Sequence, residues 1–247
     1  MKIMKPQPEF NIIAHRGLSQ RFPENTKSAF IAALSQHIDM LEIDIHRTKD
    51  GELVVIHDET VDRTSNHKGA IKDLTLKELK RYDFGGWKSK GDYESILTFK
   101  EVIELAKNYS KCLLIEIKKP ANYPNIESDV LKVIEDCAFP ISRIIIQSFD
   151  QLSIQRFRSL HPTLKLGVLL SKRKYWFKQP PFEKIAQYAQ YINPEYSMVN
   201  RHFMERAKLY QLEVFPYTVN TSKDVKKLIQ LGVNGVISDV PDELFRL

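Results

Sequence analysis

Two imidazoles, a guanidinium and several carboxylates stand beside short apolar runs in the first half of this chain, in His15-Arg16-Gly17, Glu42-Ile43-Asp44 and His57-Asp58. Carboxylates hold hard cations, imidazoles exchange protons near neutral pH, and a guanidinium forks onto phosphate oxygens. Together these are the parts of metal-assisted phosphate ester hydrolysis.

Spacing indicates how they meet. Glu42 and Asp44 are two apart on an extended run, so they share one face while Leu41, Ile43 and Ile45 take the other. Lys49-Asp50-Gly51-Glu52 separates the apolar runs 40–48 and 53–56, and an Asp-Gly pair there predicts a two-residue hairpin turn with Lys49 opposite Glu52. In that register His57 lies directly across from Asp44, with Cβ atoms about 5 Å apart. A second acidic run, 113–118, puts Glu116 and Lys118 on one face of an aliphatic strand. Burying carboxylates costs on the order of several kcal/mol each unless a cation or hydrogen bonds compensate. For Glu42 and Asp44 alone, a half-exposed strand whose polar face sees water is the plain alternative. Three carboxylates from two core strands instead suit one hard divalent ion with oxygen ligands, Mg²⁺ or Ca²⁺.

Such side chains need a rigid frame. Runs at 10–14, 40–47, 113–117, 143–147, 166–170, 191–192, 213–218 and 235–237 are short and rich in aliphatic or aromatic residues, as strands are. Helical patterns fall between them at 26–36, 99–108, 126–136, 150–160, 182–190, 201–210 and 222–231, several behind caps such as Asn25 or Thr26, Ser148 to Asp150, and Thr221 or Ser222. Alternation of this kind predicts a parallel α/β sheet, and eight units predict closure into a (β/α)₈ TIM barrel; a doubly wound open sheet is the alternative. Residues 53–97 interrupt the alternation and form an insertion after the second barrel strand, with the hairpin return strand, a short helix at 75–82 and the loop Phe84-Gly85-Gly86-Trp87. Barrel chemistry sits at the carboxyl ends of the strands. His15, Arg16 and Lys118 fall at such ends, and the hairpin returns His57 over Glu42 and Asp44, so all converge on one mouth.

The 247 residues suit a single barrel domain, 1–247. No stretch approaches the roughly 20 apolar residues of a membrane span. Residues 1–9 carry two lysines and two prolines but no apolar segment, so no secretory leader is expected and the reading is cytoplasmic. Cys112 and Cys137 lack metal or redox spacing and are expected as reduced thiols packed like small apolar groups. A net charge of +6 favours anionic partners without separating a phosphoester from nucleic acid or an anionic membrane. Nothing in the sequence sets an oligomeric state.

The most basic segment, Lys172-Arg173-Lys174-Tyr175-Trp176-Phe177-Lys178, follows the fifth barrel strand and so belongs to the catalytic face. Its plain reading is a solvated loop with aromatics packed beneath; its sharper reading is a lip making peripheral contact with anionic lipid. His37, His67, His161 and His202 take no role. Asp58, next to His57, alternates to the opposite side of a strand and serves as a structural or supporting group. Pro23-Glu24-Asn25-Thr26 reads as a turn and helix start beside the site, where Glu24 or Asn25 supports a ligand.

In order and spacing these segments resemble the glycerophosphodiester phosphodiesterase family, which opens with His-Arg-Gly and continues with Pro-Glu-Asn-Thr, Glu-x-Asp and His-Asp. Glu116-Ile117-Lys118, Ser148-Phe149 and the closing Gly235-Val236-Ile237-Ser238-Asp239-Val240-Pro241 extend the resemblance from about residue 10 to the end. It implies a TIM barrel, one divalent metal, Mg²⁺ or Ca²⁺, and hydrolysis of a small-molecule glycerophosphodiester to sn-glycerol 3-phosphate and an alcohol, with no nucleic acid partner. It assigns Glu42, Asp44 and Glu116 to the metal, His15 and His57 to acid–base work, and Arg16 and Lys118 to the substrate. Which histidine is the acid and which the base stays open in the sequence; the working assignment is His15 as base and His57 as acid, with water or, by way of a cyclic phosphate, the neighbouring glycerol hydroxyl attacking phosphorus. Two rivals stand beside it: a lysophospholipase D, with an apolar groove formed by loops 84–93 and 172–182, and a noncatalytic binder of phosphate ligands. The chain departs from many relatives at Tyr217-Thr218-Val219-Asn220, where they carry Trp in place of the tyrosine.

Overall fold

The computed structural model describes residues 9–91 and 93–246, so the expectations for residues 1–8 lie outside the described residues. Nine strands make one sheet: β1 (Asn11–His15), β2 (Met40–Arg47), β3 (Leu53–Val55), β4 (Cys112–Ile117), β5 (Ile144–Ser148), β6 (Lys165–Leu170), β7 (Tyr191–Pro194), β8 (Glu213–Val214) and β9 (Gly235–Ser238). Their order is β8-β7-β6-β5-β4-β2-β1-β9, all parallel, with β3 antiparallel on β2 outside this path. The two ends meet: Asn234 N–H donates to the Val214 carbonyl at 3.1 Å and Ile237 N–H to that of Pro216 at 2.9 Å. This is a nearly closed eight-stranded barrel, and the open-sheet alternative falls. β8, the seventh barrel strand, is shorter than the expected 213–218, since Pro216 has no N–H to offer a neighbour.

Among the described residues eight α-helices accompany the strands: α1 (Lys27–Leu34), α2 (Leu76–Leu79), α3 (Phe99–Ala106), α4 (Ile126–Asp136), α5 (Gln151–Leu160), α6 (Phe182–Ala186), α7 (Arg201–Leu209) and α8 (Ser222–Leu231). Thr26, Asp150 and Thr221 are the N-caps, each side chain accepting from the first turn, and Thr98 forms a capping box with Glu101. α6 is shorter than expected because Gln190 N–H already donates to the Leu166 carbonyl as the chain enters β7. Outward-facing strand residues such as Ile12, Leu41, Ile43, Leu113 and Ile146 pack with Phe30, Phe99 and Phe157 of the helices in the main core. Among the described residues no helix is long and apolar enough to cross a membrane. Both cysteines are free, Cys137 buried and Cys112 half-buried.

Inward-facing residues form layers. Ile13, Met40, Leu114, Ile145, Tyr191, Phe215 and Ile237 make a separate apolar plug. Two residues further along the same strands come His15, Glu42, Glu116, Gln147, Asn193 and Tyr217.

The hairpin corrects one expectation. Its loop has three residues, Lys49-Asp50-Gly51, closed by Thr48 N–H donating to the Glu52 carbonyl at 2.9 Å, with Gly51 at φ +90°. Asp50 accepts from the Thr48 hydroxyl at 2.6 Å and from Leu76 N–H at 3.0 Å, which ties the loop to the N-terminus of α2. The ladder therefore pairs Arg47 with Leu53 and Ile45 with Val55, one residue away from the predicted register. Ile56, not His57, comes opposite Asp44, its N–H donating to the Asp44 carbonyl at 3.1 Å. The rest of the insertion holds its own small core of Val54, Ile56, Val61, Ile71, Leu79, Phe84 and Ile96.

Candidate active site

His15 closes β1 beside Glu42 of β2, and the chain then turns sharply through Arg16 at φ +56° and Gly17 at φ +84°. A side chain at position 17 would place its Cβ 2.7 Å from the Ala29 backbone, so the turn needs glycine both for its φ and for the contact with α1. This turn aims Arg16 inward. Its N–H donates to Glu42 Oε2 at 3.0 Å, its Nη1 to Glu24 Oε1 at 2.9 Å, and its Nε lies 3.3 Å from Asp44 Oδ2 without hydrogen-bond alignment. Asn25 donates from Nδ2 to the same Asp44 oxygen at 2.9 Å. The Pro23-Glu24-Asn25-Thr26 turn thus supports the site through both Glu24 and Asn25.

Glu42, Asp44 and Glu116 are all buried and come together, one oxygen from each lying within 4.8 Å of the others. Lys118 Nζ pairs with Glu116 Oε1 at 2.7 Å and stands 3.6 Å from Asp44 Oδ1. Burial, reinforced by Asp44 and Glu116, pushes Glu42 well above the usual carboxylate range. Burial also pushes Glu116 up to about 7, against the pull of Lys118. Asp44 goes the other way: burial opposes its charge, but Lys118 and Arg16 outweigh burial and hold it well below the usual range. Its Oδ1 is nonetheless a buried acceptor without a hydrogen bond. Three oxygen donors from rigid strands, two of them driven toward protonation and one with a bare oxygen, fit a hard divalent cation.

Both histidines sit on the same cavity, each oriented by a carboxylate. His15 Nδ1 meets Asp239 Oδ1 at 2.7 Å, and Asp239 is held in turn by the Ser19 hydroxyl at 3.0 Å and Asn220 Nδ2 at 2.7 Å. His57 Nδ1 meets Asp58 Oδ1 at 2.6 Å, and Arg63 bridges Asp58 and Glu24. A carboxylate partner on Nδ1 fixes the Nδ1–H tautomer, leaving each Nε2 free of that bond. Asp58 therefore does not turn away from His57. The ladder ends at Val55, so strand alternation no longer governs the pair. Burial lowers the His57 pKa, partly offset by Asp44.

One residue escaped the sequence reading. His46 is fully buried, accepts from or donates to the Tyr123 hydroxyl at 2.8 Å, and has Nε2 3.2 Å from the His57 carbonyl. Burial drops its pKa to about 4, so it is neutral. The carbonyl only accepts, so Nε2–H donates and Nδ1 accepts from Tyr123. The signal was available: 42, 44 and 46 share one face of β2.

His15, Arg16, Glu42, His57, Glu116 and Lys118 line a cavity of about 160 Å³ walled by Gln147, Phe149, Leu169 and Tyr217. Tyr217 donates its hydroxyl to the Leu170 carbonyl at 2.9 Å and meets Phe149 edge-on, with centroids 6.0 Å apart. A larger groove of about 1120 Å³ shares His57, Glu116, Lys118 and Phe149 and runs past Pro120, Leu152, Lys174, Tyr175 and Lys178. The loop after β6 thus borders the site, as expected, but only Tyr175 of its aromatics is buried, whereas Trp176 and Phe177 face outward.

The family model described as "Glycerophosphoryl diester phosphodiesterase family" matches residues 15–243, from the first of these histidines to beyond Asp239. The chain belongs to the glycerophosphoryl diester phosphodiesterase family. It is 39% identical over 240 residues to the glycerophosphodiester phosphodiesterase of Caldanaerobacter subterraneus subsp. tengcongensis, covering 96% of each chain. To the glycerophosphodiester phosphodiesterase of Bacillus subtilis it is 33% identical over 246 residues, covering 93% of this chain and 83% of that one. Among solved structures it superposes on an Oleispira antarctica phosphodiesterase in complex with the product sn-glycerol-3-phosphate, with a TM-score of 0.87, 27% identity, and coverage of 95% of this chain and 94% of that one. The family and barrel expected from the motifs are therefore those of the molecule.

Proposed function

We propose that this phosphodiesterase hydrolyses glycerophosphodiesters to sn-glycerol 3-phosphate and an alcohol, using one divalent cation and two histidines. The observation that carries the reading is a cluster of three buried carboxylates, two of which, Glu42 and Glu116, line one small cavity together with two cationic side chains and two carboxylate-oriented imidazoles. Arg16 and Lys118 leave the three carboxylates one negative charge in excess. A divalent cation turns that into one positive charge, which a phosphodiester monoanion neutralises.

Glu42, Asp44 and Glu116 would hold Mg²⁺ or Ca²⁺, whose Lewis acidity offsets the charge gathering on the nonbridging oxygens. Arg16 and Lys118, fixed by Glu24 and Glu116, orient the phosphate and stabilise the same charge. One histidine takes a proton from the attacking water or glycerol hydroxyl as its oxygen bonds to phosphorus; the P–O bond to the alcohol breaks, and the other histidine returns a proton to the departing oxygen. Attack by water gives sn-glycerol 3-phosphate directly, whereas attack by the glycerol hydroxyl gives a cyclic phosphate that a second, water-consuming step opens. Burial disfavours the imidazolium form of His57, which supports it as the proton acceptor, and His15 is then the donor. This reverses the working assignment drawn from the sequence.

The test is release of sn-glycerol 3-phosphate from glycerophosphocholine with and without Mg²⁺ or Ca²⁺, in the wild type, Glu42→Ala, His15→Ala and His57→Ala. Inactivity across a glycerophosphodiester panel with metal present would favour the noncatalytic binder. A 4-nitrophenyl ester of glycerol phosphate, whose leaving group needs no proton, separates the histidines. His15→Ala should keep most of its turnover on that ester and His57→Ala should not. Transient cyclic glycerol phosphate in a ³¹P spectrum would identify attack by the glycerol hydroxyl.

A second reading, turnover of lysophospholipids, draws support from the apolar part of the larger groove, where Ile117, Pro120, Leu152, Tyr175 and Pro181 could lie along a chain. Comparing lysophosphatidylcholine with glycerophosphocholine decides between them.

A further inference from the structure

The loop between β6 and α6 presents an apolar tip inside a ring of positive charge. Trp176 is 62% exposed and Phe177 95% exposed. They meet edge-on, with ring centroids 6.2 Å apart, and so project as one unit. Around them stand Lys172, Arg173, Lys174 and Lys178, and no carboxylate occurs between Ser171 and Pro181.

The base of the loop is braced. Tyr175 is buried and accepts from Gln151 Nε2 at 2.9 Å. Lys174 and Lys178 place their ammonium groups 5.9 and 5.8 Å from its ring centre, and Lys172 sits 5.4 Å from that of Trp176. Among the described residues none of the four basic side chains joins an ion pair; a carboxylate does reach the base of the loop, Glu195 accepting from the Lys172 backbone N–H at 3.2 Å, which leaves the ammonium and guanidinium groups unpaired.

We propose that this loop docks the mouth of the barrel on an anionic lipid bilayer, with Trp176 and Phe177 entering the interface and the basic side chains reaching lipid phosphates. Aromatic side chains favour the headgroup boundary, and each nearby lysine or arginine adds attraction to a negative leaflet. A second copy of the chain is a poor occupant, because pairing two such tips would bring like charges together. A single-stranded nucleic acid is poorer still, since rings set 79° apart offer no parallel faces for successive bases. The loop leaves a strand at its carboxyl end, and Lys174 and Lys178 also line the groove that leads to His57, so docking would set the groove against the lipid surface.

The test is co-sedimentation of the whole protein with phosphatidylcholine vesicles with and without phosphatidylglycerol. The wild type should pellet with the anionic vesicles and be released by salt. Trp176→Ser with Phe177→Ser, and separately Lys172→Glu with Arg173→Glu, should each weaken partition by about tenfold or more. Both variants should keep wild-type turnover of water-soluble glycerophosphocholine, showing that the barrel is intact. Wild-type protein that stays in the supernatant, or partition unchanged in both variants, overturns the proposal. So does a change in oligomeric state caused by Trp176→Ser and Phe177→Ser in the absence of vesicle binding.

Discussion

The two ends of the barrel interior are built by the same strands and obey opposite rules. Toward the amino ends, Ile13, Met40, Leu114, Ile145, Tyr191 and Phe215 fill the space with apolar contacts. Two residues further on, His15, Glu42, Glu116, Gln147, Asn193 and Tyr217 replace them, and Asp44 and His46 extend the charged and polar face of β2 to the mouth. Gly167 serves the boundary, since a Cβ there would crowd Tyr191 at 3.2 Å and Asn193 at 3.3 Å. The plug gains stability by excluding water. The upper layer gives stability up, because carboxylates are buried there beside one another, and recovers it through hydrogen bonds from Asn25 and the Arg16 backbone and through the cations Arg16 and Lys118.

Substitutions in the two layers should therefore fail differently. Removing either imidazole is expected to lower kcat by about 10²- to 10⁴-fold with little effect on the melting temperature. Phe215 is buried in the plug and stacked on Tyr191, with centroids 5.1 Å apart. Phe215→Ala should cost about 3–5 kcal/mol of stability in denaturant titration. Well below its midpoint it should turn over glycerophosphocholine at the wild-type kcat. A large fall in kcat for Phe215→Ala, or a large loss of stability for the histidine variants, would erase the distinction.

The carboxylates give the next effect. Glu116 titrates near 7 in the fold against 4.5 in an unfolded chain, and Glu42 is raised in the same direction. The folded, metal-free protein then binds protons that the unfolded chain releases, so this contribution is full below the ordinary carboxylate pKa and lost as pH rises through about 7. Asp44 has the opposite sign, but its loss comes only in acid, below this window; His46 and His57, lowered by burial, lose their contribution as pH falls below the ordinary histidine range and so oppose the carboxylates within it. Relative to chelated Glu116→Gln, chelated wild-type protein should lose more stability between about pH 5 and about pH 8, and added Ca²⁺ or Mg²⁺ should raise its melting temperature more at the higher pH. Glu42→Gln should flatten the chelated profile and blunt the metal response. Equal metal shifts at both values would argue against these carboxylates as the ligands.

The layered interior also explains what the sequence made legible. Strand periodicity exposed all eight barrel strands and the shared face of Glu42 and Asp44, because period two holds wherever a ladder persists. It failed where ladders stop. The hairpin register shifted by one because Asp50 serves α2 as well as its own turn, a contact with no local signature. Asp239 lies 224 residues from His15 in sequence and Arg63 reaches both Asp58 and Glu24, so the groups that orient the imidazoles emerge only when the barrel closes. His57 was placed on the correct cavity through a pairing that does not exist.

What does hold His57 there is the source of the smallest effect. Beyond Ile56 the chain leaves β2, and the His57 carbonyl is received by His46 at 3.2 Å, whose other nitrogen takes the Tyr123 hydroxyl at 2.8 Å. Because burial keeps His46 neutral, it can donate at one nitrogen while accepting at the other. His46→Phe preserves bulk but strands both partners, and if His57 is the base proposed above, its misplacement should lower kcat about tenfold while leaving KM near its wild-type value. His46→Gln offers an amide donor and a carbonyl acceptor and should recover much of the loss. The limb of the kcat pH profile that belongs to His57 should shift in His46→Phe and return in His46→Gln, which a purely space-filling role would not produce. If His46→Phe matches the wild type in kcat and pH profile, the face of β2 ends its chemistry at Asp44, and the boundary between the layers and the mouth lies one pair earlier than this geometry indicates.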